Sequence, residues 1–479
     1  MSVKCLACGL ESPEGFSFCG HCGARLSITL AAPLADDREA AIRRVREAGD
    51  QARRSADAVA ALDRYQEALA LLDSAALASD ATLHVQFLKA RFDVLAERYT
   101  LWTAIGQPDR IESDLQDMLG IARRAGDGAR LTKAIVTLAR YYLDGRRYEL
   151  ARPLLEESVS LLRTQADRAG EASTLAELAR LDWRAGRFET VADAFQRAHE
   201  LRRRAGEPGG LARSYVDLGT LYRDGMSQPF HAVSHFEKAI ELARLSGHAD
   251  LETQGLIGLG VSWTRLGDYA KARAVFEQAR HKAGEVQSGE QAAWVAVAQA
   301  DVLHETEASG ARATIEPALA SALDMDAPDL QWHALLGYAH ISQAAGDWPG
   351  AHKWIERMQQ LERGGRLYAY CAMWSYALSA RSYLHTGRGE PAAAASEQAA
   401  TLLQAHGFAG VPIPQMILWA RYEVLADSDA QSAFHFLRQA RELMLSQANT
   451  IGDGALRARF LRDVAINRAI SDDWTRRHT

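Results

Sequence analysis

Long apolar runs are missing from this chain. Although 48% of its 479 residues are hydrophobic, no stretch of about 18 apolar residues occurs, so no helix long enough to cross a bilayer is expected. The segment Met1 to Leu10 lacks a basic stretch followed by an apolar core, which speaks against a secretory leader. A cytoplasmic location is the expectation, and a membrane is not an expected partner. Charge of one sign is also missing: 55 Lys and Arg stand against 61 Asp and Glu, a formal net of −6. That balance gives no general attraction to nucleic acid or to an anionic surface. Catalytic signatures are absent as well. There is no H-E-x-x-H, no G-x-S-x-G, no G-x-x-x-x-G-K-[ST] and no glycine-rich dinucleotide fingerprint. His304 and Glu305 are adjacent in sequence and so point to different sides of a helix. No catalytic residue is assigned, and the chain is expected not to be an enzyme.

Cysteine is scarce and segregated. Four of the five fall within the first 22 residues, and the fifth is Cys371. A secreted disulfide framework would not be distributed in this way. Cys5-x-x-Cys8-Gly9 and Cys19-x-x-Cys22-Gly23 form two C-x₂-C knuckles. Two residues between ligands let a tight turn present both thiolates to one ion, and the following glycine allows the backbone to curl. Cys5, Cys8, Cys19 and Cys22 are therefore read as the ligands of one structural Zn ion. Four thiolates leave no open position for water, and His21 is not needed. Through residue 30, Lys4 and Arg25 balance Glu11 and Glu14, which disfavours a phosphate-tracking role. Phe16 and Phe18 are read as a small core beside the metal rather than as a base-stacking surface.

The rest of the chain is dominated by repetition. Gly106, Gly145, Gly186, Gly267, Gly346 and Gly387 are separated by 39, 41, 81, 79 and 41 residues, a period of about 40. Its clearest copy is Leu259-Gly260-x-x-Trp263-x-x-x-Gly267-Asp268-Tyr269-x-x-Ala272-x-x-x-Phe276-x-x-Ala279. A first helix ends at the glycine and a second begins near the following aromatic, with Trp263, Tyr269 and Phe276 filling the space between hairpins. Copies fall at Leu138 to Leu155, Leu178 to Ala198 and Leu218 to Ala239, the last with one extra residue around Met226 to Pro229. Later copies are marked by Trp348 with Ile355 and by Ala433 with Ala440, and one between Ala292 and Ala322 rests on spacing alone. Such a period implies an all-α stack of helical hairpins, an α-solenoid that presents surface rather than chemistry. Asp453 is placed to cap a closing helix in which Leu456, Phe460 and Val464 recur every four residues. The resulting division is a zinc ribbon over 1–27, a linker over 28–37, the solenoid over 38–446, and a closing helix and tail over 447–479.

The pattern resembles the tetratricopeptide repeat in its longer-period variety, found in bacterial signalling regulators. The resemblance spans roughly residues 82–445 and implies a superhelix that binds a protein or peptide. The two ends resemble those of bacterial proteins that join a nucleotide cyclase, a STAND-type ATPase and a repeat array. The leader pattern is C-x-x-C-G with Phe18-Cys19-x-x-Cys22-Gly23-Ala24-x-Leu26, and the tail pattern runs from Ala448 to Arg468. The catalytic middle of those proteins has no counterpart here, so neither activity carries over.

In this frame the first helix of each repeat lines the inner groove. Arg140, Arg180, Arg184, Arg223, Arg265 and Arg381 then form a basic track, interrupted by Thr220, Val261 and His340, suited to an acidic peptide, a carboxylate terminus or a phosphorylated segment. The opposing reading makes each a solvated helix-forming arginine paired with a nearby acid. Arg43-Arg44-x-Arg46 and Arg202-Arg203-Arg204 read as solvated faces. The expected function is an adaptor or scaffold in bacterial signalling or complex assembly that docks a protein or peptide in the groove. The alternatives are a nucleic-acid-associated regulator that uses the ribbon, and homo-oligomers formed through the solenoid ends or the ribbon.

Overall fold

A computed structural model describes residues 2–4, 11–13, 35–55, 57–77, 81–105, 107–145, 147–306, 308–325, 327–365 and 367–477. Cys5, Cys8, Cys19, Cys22 and His21 lie outside these residues. Among the described residues the chain is all-α apart from one short strand pair, and within each unit its helices form tetratricopeptide-like antiparallel hairpins stacked side by side. Two compact units are present, Met1–Asp144 and Gly145–Thr479.

In the first unit, strands β1 (Ser2–Lys4) and β2 (Glu11–Pro13) pair antiparallel, with Lys4 opposite Glu11. Helices α1 (Ala35–Arg54), α2 (Ala58–Leu77), α3 (Ala81–Ile105), α4 (Pro108–Ala125) and α5 (Gly128–Asp144) follow. Tyr65, Phe92, Leu95 and Leu115 are almost wholly enclosed between them. Arg98 on α3 forks onto buried Asp114 on α4, Nε to Oδ2 at 2.8 Å and Nη2 to Oδ1 at 2.5 Å.

The second unit begins with α6 (Tyr148–Thr164), α7 (Arg168–Arg184), a 3₁₀ turn (Phe188–Thr190), α8 (Val191–Ala205) and α9 (Pro208–Thr220). A π-helical turn (Leu221–Gly225) extends α9, followed by α10 (Pro229–Ser246), α11 (Ala249–Arg265), α12 (Tyr269–Glu285), α13 (Gly289–Thr306) and α14 (Ala308–Asp324). The stack continues with α15 (Pro328–Ala344), α16 (Trp348–Glu362), α17 (Ala369–His385), α18 (Gly389–His406), α19 (Pro414–Leu425) and α20 (Ala430–Asn449), and ends with α21 (Gly454–Arg462) and α22 (Ala465–Arg476).

The repeat frame explains these boundaries. Gly186, Gly267, Gly346 and Gly387 each follow the end of a first helix with φ between 74° and 76°, the left-handed conformation that stops a helix. At Asp268 and Asp347 the carboxylate then caps the second helix by accepting from the N–H of Lys271 at 3.3 Å and of Gly350 at 2.9 Å. Phe276, Ala272 and Ala279 are fully enclosed. A Cβ at Gly260 would stand 2.5 Å from Cε1 of Phe276, so the ring occupies the space that the missing side chain leaves. The copy inferred from spacing alone is present as the α13–α14 hairpin, and the extra residue placed around Met226 to Pro229 is accommodated just upstream, in the π turn Leu221–Gly225, where one more residue fits into a helical path.

The carboxyl end differs from expectation. Asp453 does cap α21, accepting from Ala455 at 2.8 Å and Leu456 at 3.1 Å, and Leu456 and Phe460 are buried. The helix does not reach Val464; it stops at Arg462, and α22 starts afresh at Ala465. Tertiary partners take up the backbone groups freed by the break. Tyr269 donates to the Asp463 carbonyl at 3.1 Å, Asn467 to that of Phe460 at 2.9 Å, and the Ala465 N–H reaches Glu305 at 3.4 Å.

Candidate functional site

The arginines assigned to the groove separate into two environments. Arg140, in the first unit, is exposed on α5. The other five belong to the second unit, and each is ion-paired. Arg180 reaches Asp217, one hairpin on, with Nη1 to Oδ1 at 2.6 Å, and Glu177 on its own helix at 2.7 Å. Arg184 forks onto Asp329, both contacts at 3.0 Å, and lies 4.3 Å from the centre of the Tyr368 ring. Arg223 and Arg265 share Asp224: Arg223 Nη2 lies 2.5 Å from Oδ2, and Arg265 Nη1 lies 2.7 Å from Oδ1. Arg381 contacts Glu423 at 2.6 Å. Burial alone would raise the Asp224 carboxyl, but the two guanidinium groups hold it down to about 2. Arg180, Arg184 and Arg381 are thus each matched by an acid from within, while Arg223 and Arg265 share one carboxylate between them. Arg202 departs from the expected solvated face: it is buried and reaches Asp217 at 3.3 Å, while Arg203 and Arg204 pair with Glu200 at 2.8 and 2.7 Å.

The chain itself covers much of this inner side. The loop 407–413 lies across the first helices of distant hairpins and is fastened at several points. Trp183 Nε1 donates to the Gly410 carbonyl at 2.8 Å, the Gly410 N–H donates to the Gly225 carbonyl at 2.7 Å, and Trp374 Nε1 donates to the Pro412 carbonyl at 3.0 Å. Gly410 has φ of 82°, and a Cβ there would stand 2.7 Å from the Phe188 ring. Ile413 ends the loop at φ of 47°, a conformation costing a β-branched residue on the order of 1–3 kcal/mol. It persists because the surrounding hydrogen bonds and Pro414 fix the path. Below the loop, Arg459 contacts Asp268 at 3.1 Å and brings α21 against the α11–α12 turn.

An unusual carboxyl is half-buried beside Arg265. Burial pushes Asp301 on α13 up to about 7, with Arg265 opposing and Glu305 reinforcing the rise. One turn further, His304 stacks on His340 with ring centres 5.7 Å apart, and His304 Nδ1 and His340 Nε2 are buried without a hydrogen-bond partner. Burial also lowers His340, to about 3, so its ring is neutral at physiological pH.

An open cleft of about 500 Å³ remains between α17, α19 and α22. Its walls include His385, Trp419, Tyr422, Glu423, Arg468 and Asp472. Arg381 holds Glu423 at its edge, and Asp473 accepts from Tyr422 at 2.8 Å. Arg468 is exposed, with a contact of 3.3 Å to the Arg462 carbonyl. Along α22, Ala465, Arg468, Ala469 and Asp472 form one stripe facing this space, while Ile466, Asn467 and Ile470 are buried behind it. The sequence reading missed this cleft and the acidic partners of the arginines. A signal for the partners was available: Asp217 and Glu423 follow Arg180 and Arg381 by 37 and 42 residues, about one repeat.

Residues 170–245, spanning α7 to α10, match the family model of the tetratricopeptide repeat. No curated protein matches the chain. Among solved structures, the chain is similar to aspartyl phosphate phosphatase F from Bacillus subtilis, at 16% identity over 77% of this chain and 93% of that one, with a TM-score of 0.47. A Rap protein complexed with competence and sporulation factor aligns at 12% identity over 71% and 98%, TM-score 0.46. A STAND protein with a tetratricopeptide repeat sensor from Pyrococcus horikoshii aligns at 15% over 67% and 52%, TM-score 0.41.

Proposed function

We propose that this chain is a non-enzymatic adaptor that docks a short segment of a protein partner in the cleft between α17, α19 and α22, serving bacterial signalling or complex assembly. The observation that carries this reading is the cleft itself. It is an open space walled by two first helices and by α22, and it combines aromatic residues at its base with charges of both signs. The repeat match over 170–245 supports the interaction role. Trp419 and Tyr422 are almost fully buried and give the cleft a rigid base, and Arg468 supplies a guanidinium for an acidic side chain of the partner. Any activity comes from the partner.

The experiment places a photo-crosslinking amino acid at Ala426 in the native cell, with and without Ala469→Arg, which fills the cleft from α22. A specific adduct that disappears in the filled variant supports the reading. An adduct of equal yield in both overturns it.

The amino-terminal segment is proposed as a structural zinc ribbon held by Cys5, Cys8, Cys19 and Cys22. The pairing of β1 with β2 supports it, because the six residues between these strands carry the first C-x₂-C pair. Bound zinc would draw the two pairs together and supply the folding energy of a segment too short for a core of its own. Purified protein should carry one zinc per chain, and Cys8→Ser with Cys22→Ser should abolish it. Metal retained in that double variant would refute the assignment.

A further inference from the structure

Between the π turn, α11 and the closing helices lies a cavity of about 30 Å³, lined by Arg223, Arg265, Gln415, Gln447 and Asn467 among others. We infer that this cavity is a binding site for a small monovalent anion of halide size. The inference stands apart from the adaptor reading, since the cavity and the cleft have no lining residue in common.

Charge is the first argument. Two guanidinium groups converge on a single carboxylate, Asp224, which leaves one positive charge in excess. Nη1 of Arg265 is used by the Arg223 carbonyl at 3.0 Å and by Asp224 at 2.7 Å, while its Nε and Nη2 have no acceptor among the described residues. Asp301 is the next carboxyl in reach of Arg265, and burial keeps it partly protonated near neutrality. An uncompensated charge taken out of water carries a large desolvation penalty, and a counter-ion relieves it.

The second argument is the direction of the hydrogen bonds. Gln415 and Asn467 are almost fully buried. Gln415 and Gln447 exchange reciprocal amide bonds at 3.2 Å, and Gln415 Nε2 also approaches Asn467 Oδ1 at 3.5 Å. Asn467 Nδ2 is committed to the Phe460 carbonyl at 2.9 Å. Each of the three amide oxygens accepts one of these bonds, and the second N–H of Gln447 is a spare donor on this wall. Ser227, whose hydroxyl donates to the Val411 carbonyl at 3.4 Å, also lines the space, and Pro229, Ile413, Phe460, Val464 and Ile466 supply apolar surface. A space with spare donors, excess positive charge and the volume of about one water molecule selects a single compact anion over a cation or a bulky one.

Two measurements on the full chain test this. Crystals soaked in sodium bromide should give an anomalous peak between Arg265 and Gln447. A cavity holding water alone, or bromide only at surface arginines, overturns the inference. In solution, the melting temperature should be several degrees higher in chloride or bromide than in gluconate at equal ionic strength, because gluconate is too large to enter. Gln447→Leu, which removes the spare donor without disturbing the arginines, should shrink that difference by more than half. Equal melting temperatures in chloride and gluconate for the unaltered chain overturn the inference whether or not the variant folds.

Discussion

Replacing Gly260 with alanine sets two well-characterised effects against each other. In a helix interior, Gly→Ala stabilises by about 0.5–1 kcal/mol through reduced chain entropy. At Gly260 the new methyl would stand 2.5, 2.7 and 2.8 Å from Cε1, Cζ and Cδ1 of Phe276, a ring with no exposed surface, packed with Ala272, Ala298 and Val302. Distances this short force a shift, and overpacking of this kind costs roughly 1–3 kcal/mol. Packing exceeds propensity, so Gly260→Ala should destabilise the second unit by up to about 2 kcal/mol. Gly284 supplies the control, because it sits in α12 with nothing within 4 Å of an added Cβ. Gly284→Ala should stabilise by about 0.5–1 kcal/mol. Urea unfolding followed by circular dichroism and tryptophan fluorescence measures both. Gly260→Ala combined with Phe276→Leu should recover part of the loss by relieving the contact. If both alanine variants stabilise equally, the argument that the repeat's small residues exist for close helix approach is wrong.

Asp301 gives a pH dependence with a definite sign. Its folded carboxyl, at about 7, lies above the usual 3.8, so the folded state holds a proton that the unfolded state has lost. Stability then falls as pH rises from about 4 to about 7, by at most roughly 4 kcal/mol. Asp301→Asn should remove this component, so the variant's advantage in chemical denaturation should grow from pH 4.5 to pH 8; an unchanging difference contradicts the burial argument. Trp183→Phe keeps the apolar contact with Phe188 but leaves the Gly410 carbonyl without its donor, at a cost of about 1–3 kcal/mol. Hydrogen exchange at the Gly410 amide should speed up in that variant, and unchanged protection would show that the loop is held elsewhere. Asp453→Ala should lose about 1 kcal/mol through the α21 cap, read as a lower urea midpoint with an unchanged slope.

The hairpins were legible because periodicity is local: Leu259 to Ala279 states a helix end, a turn and a helix start within one copy of the repeat. Even the extra residue before Pro229 left a trace in the spacing, though nothing in it indicated a π turn. Contacts across many repeats left none. Trp183 and Gly410 are 227 residues apart, and neither carries a periodic signature of the other. The arginines of the second unit illustrate the same division. Their recurrence marked a shared side of the first helices, but the identity of their partners depends on which hairpins approach in space. For Arg184 the partner lies 145 residues away, beyond any pattern a single repeat can hold. The cleft was hidden for the same reason, since α22 reaches α17 and α19 only after the helix break at Asp463 redirects it.

The bond between Gly225 and Gly410 also bears on how the second unit comes apart. An open stack of hairpins unravels repeat by repeat from its ends, because each is held only by its neighbours. Here a clasp joins the π turn to the loop before α19, so α10 and the four hairpins from α11 to α18 are held at both margins. Pulled from its termini, this stretch should resist as a single element and release in one large step once the clasp fails, where an unclasped array would show a ladder of small ones.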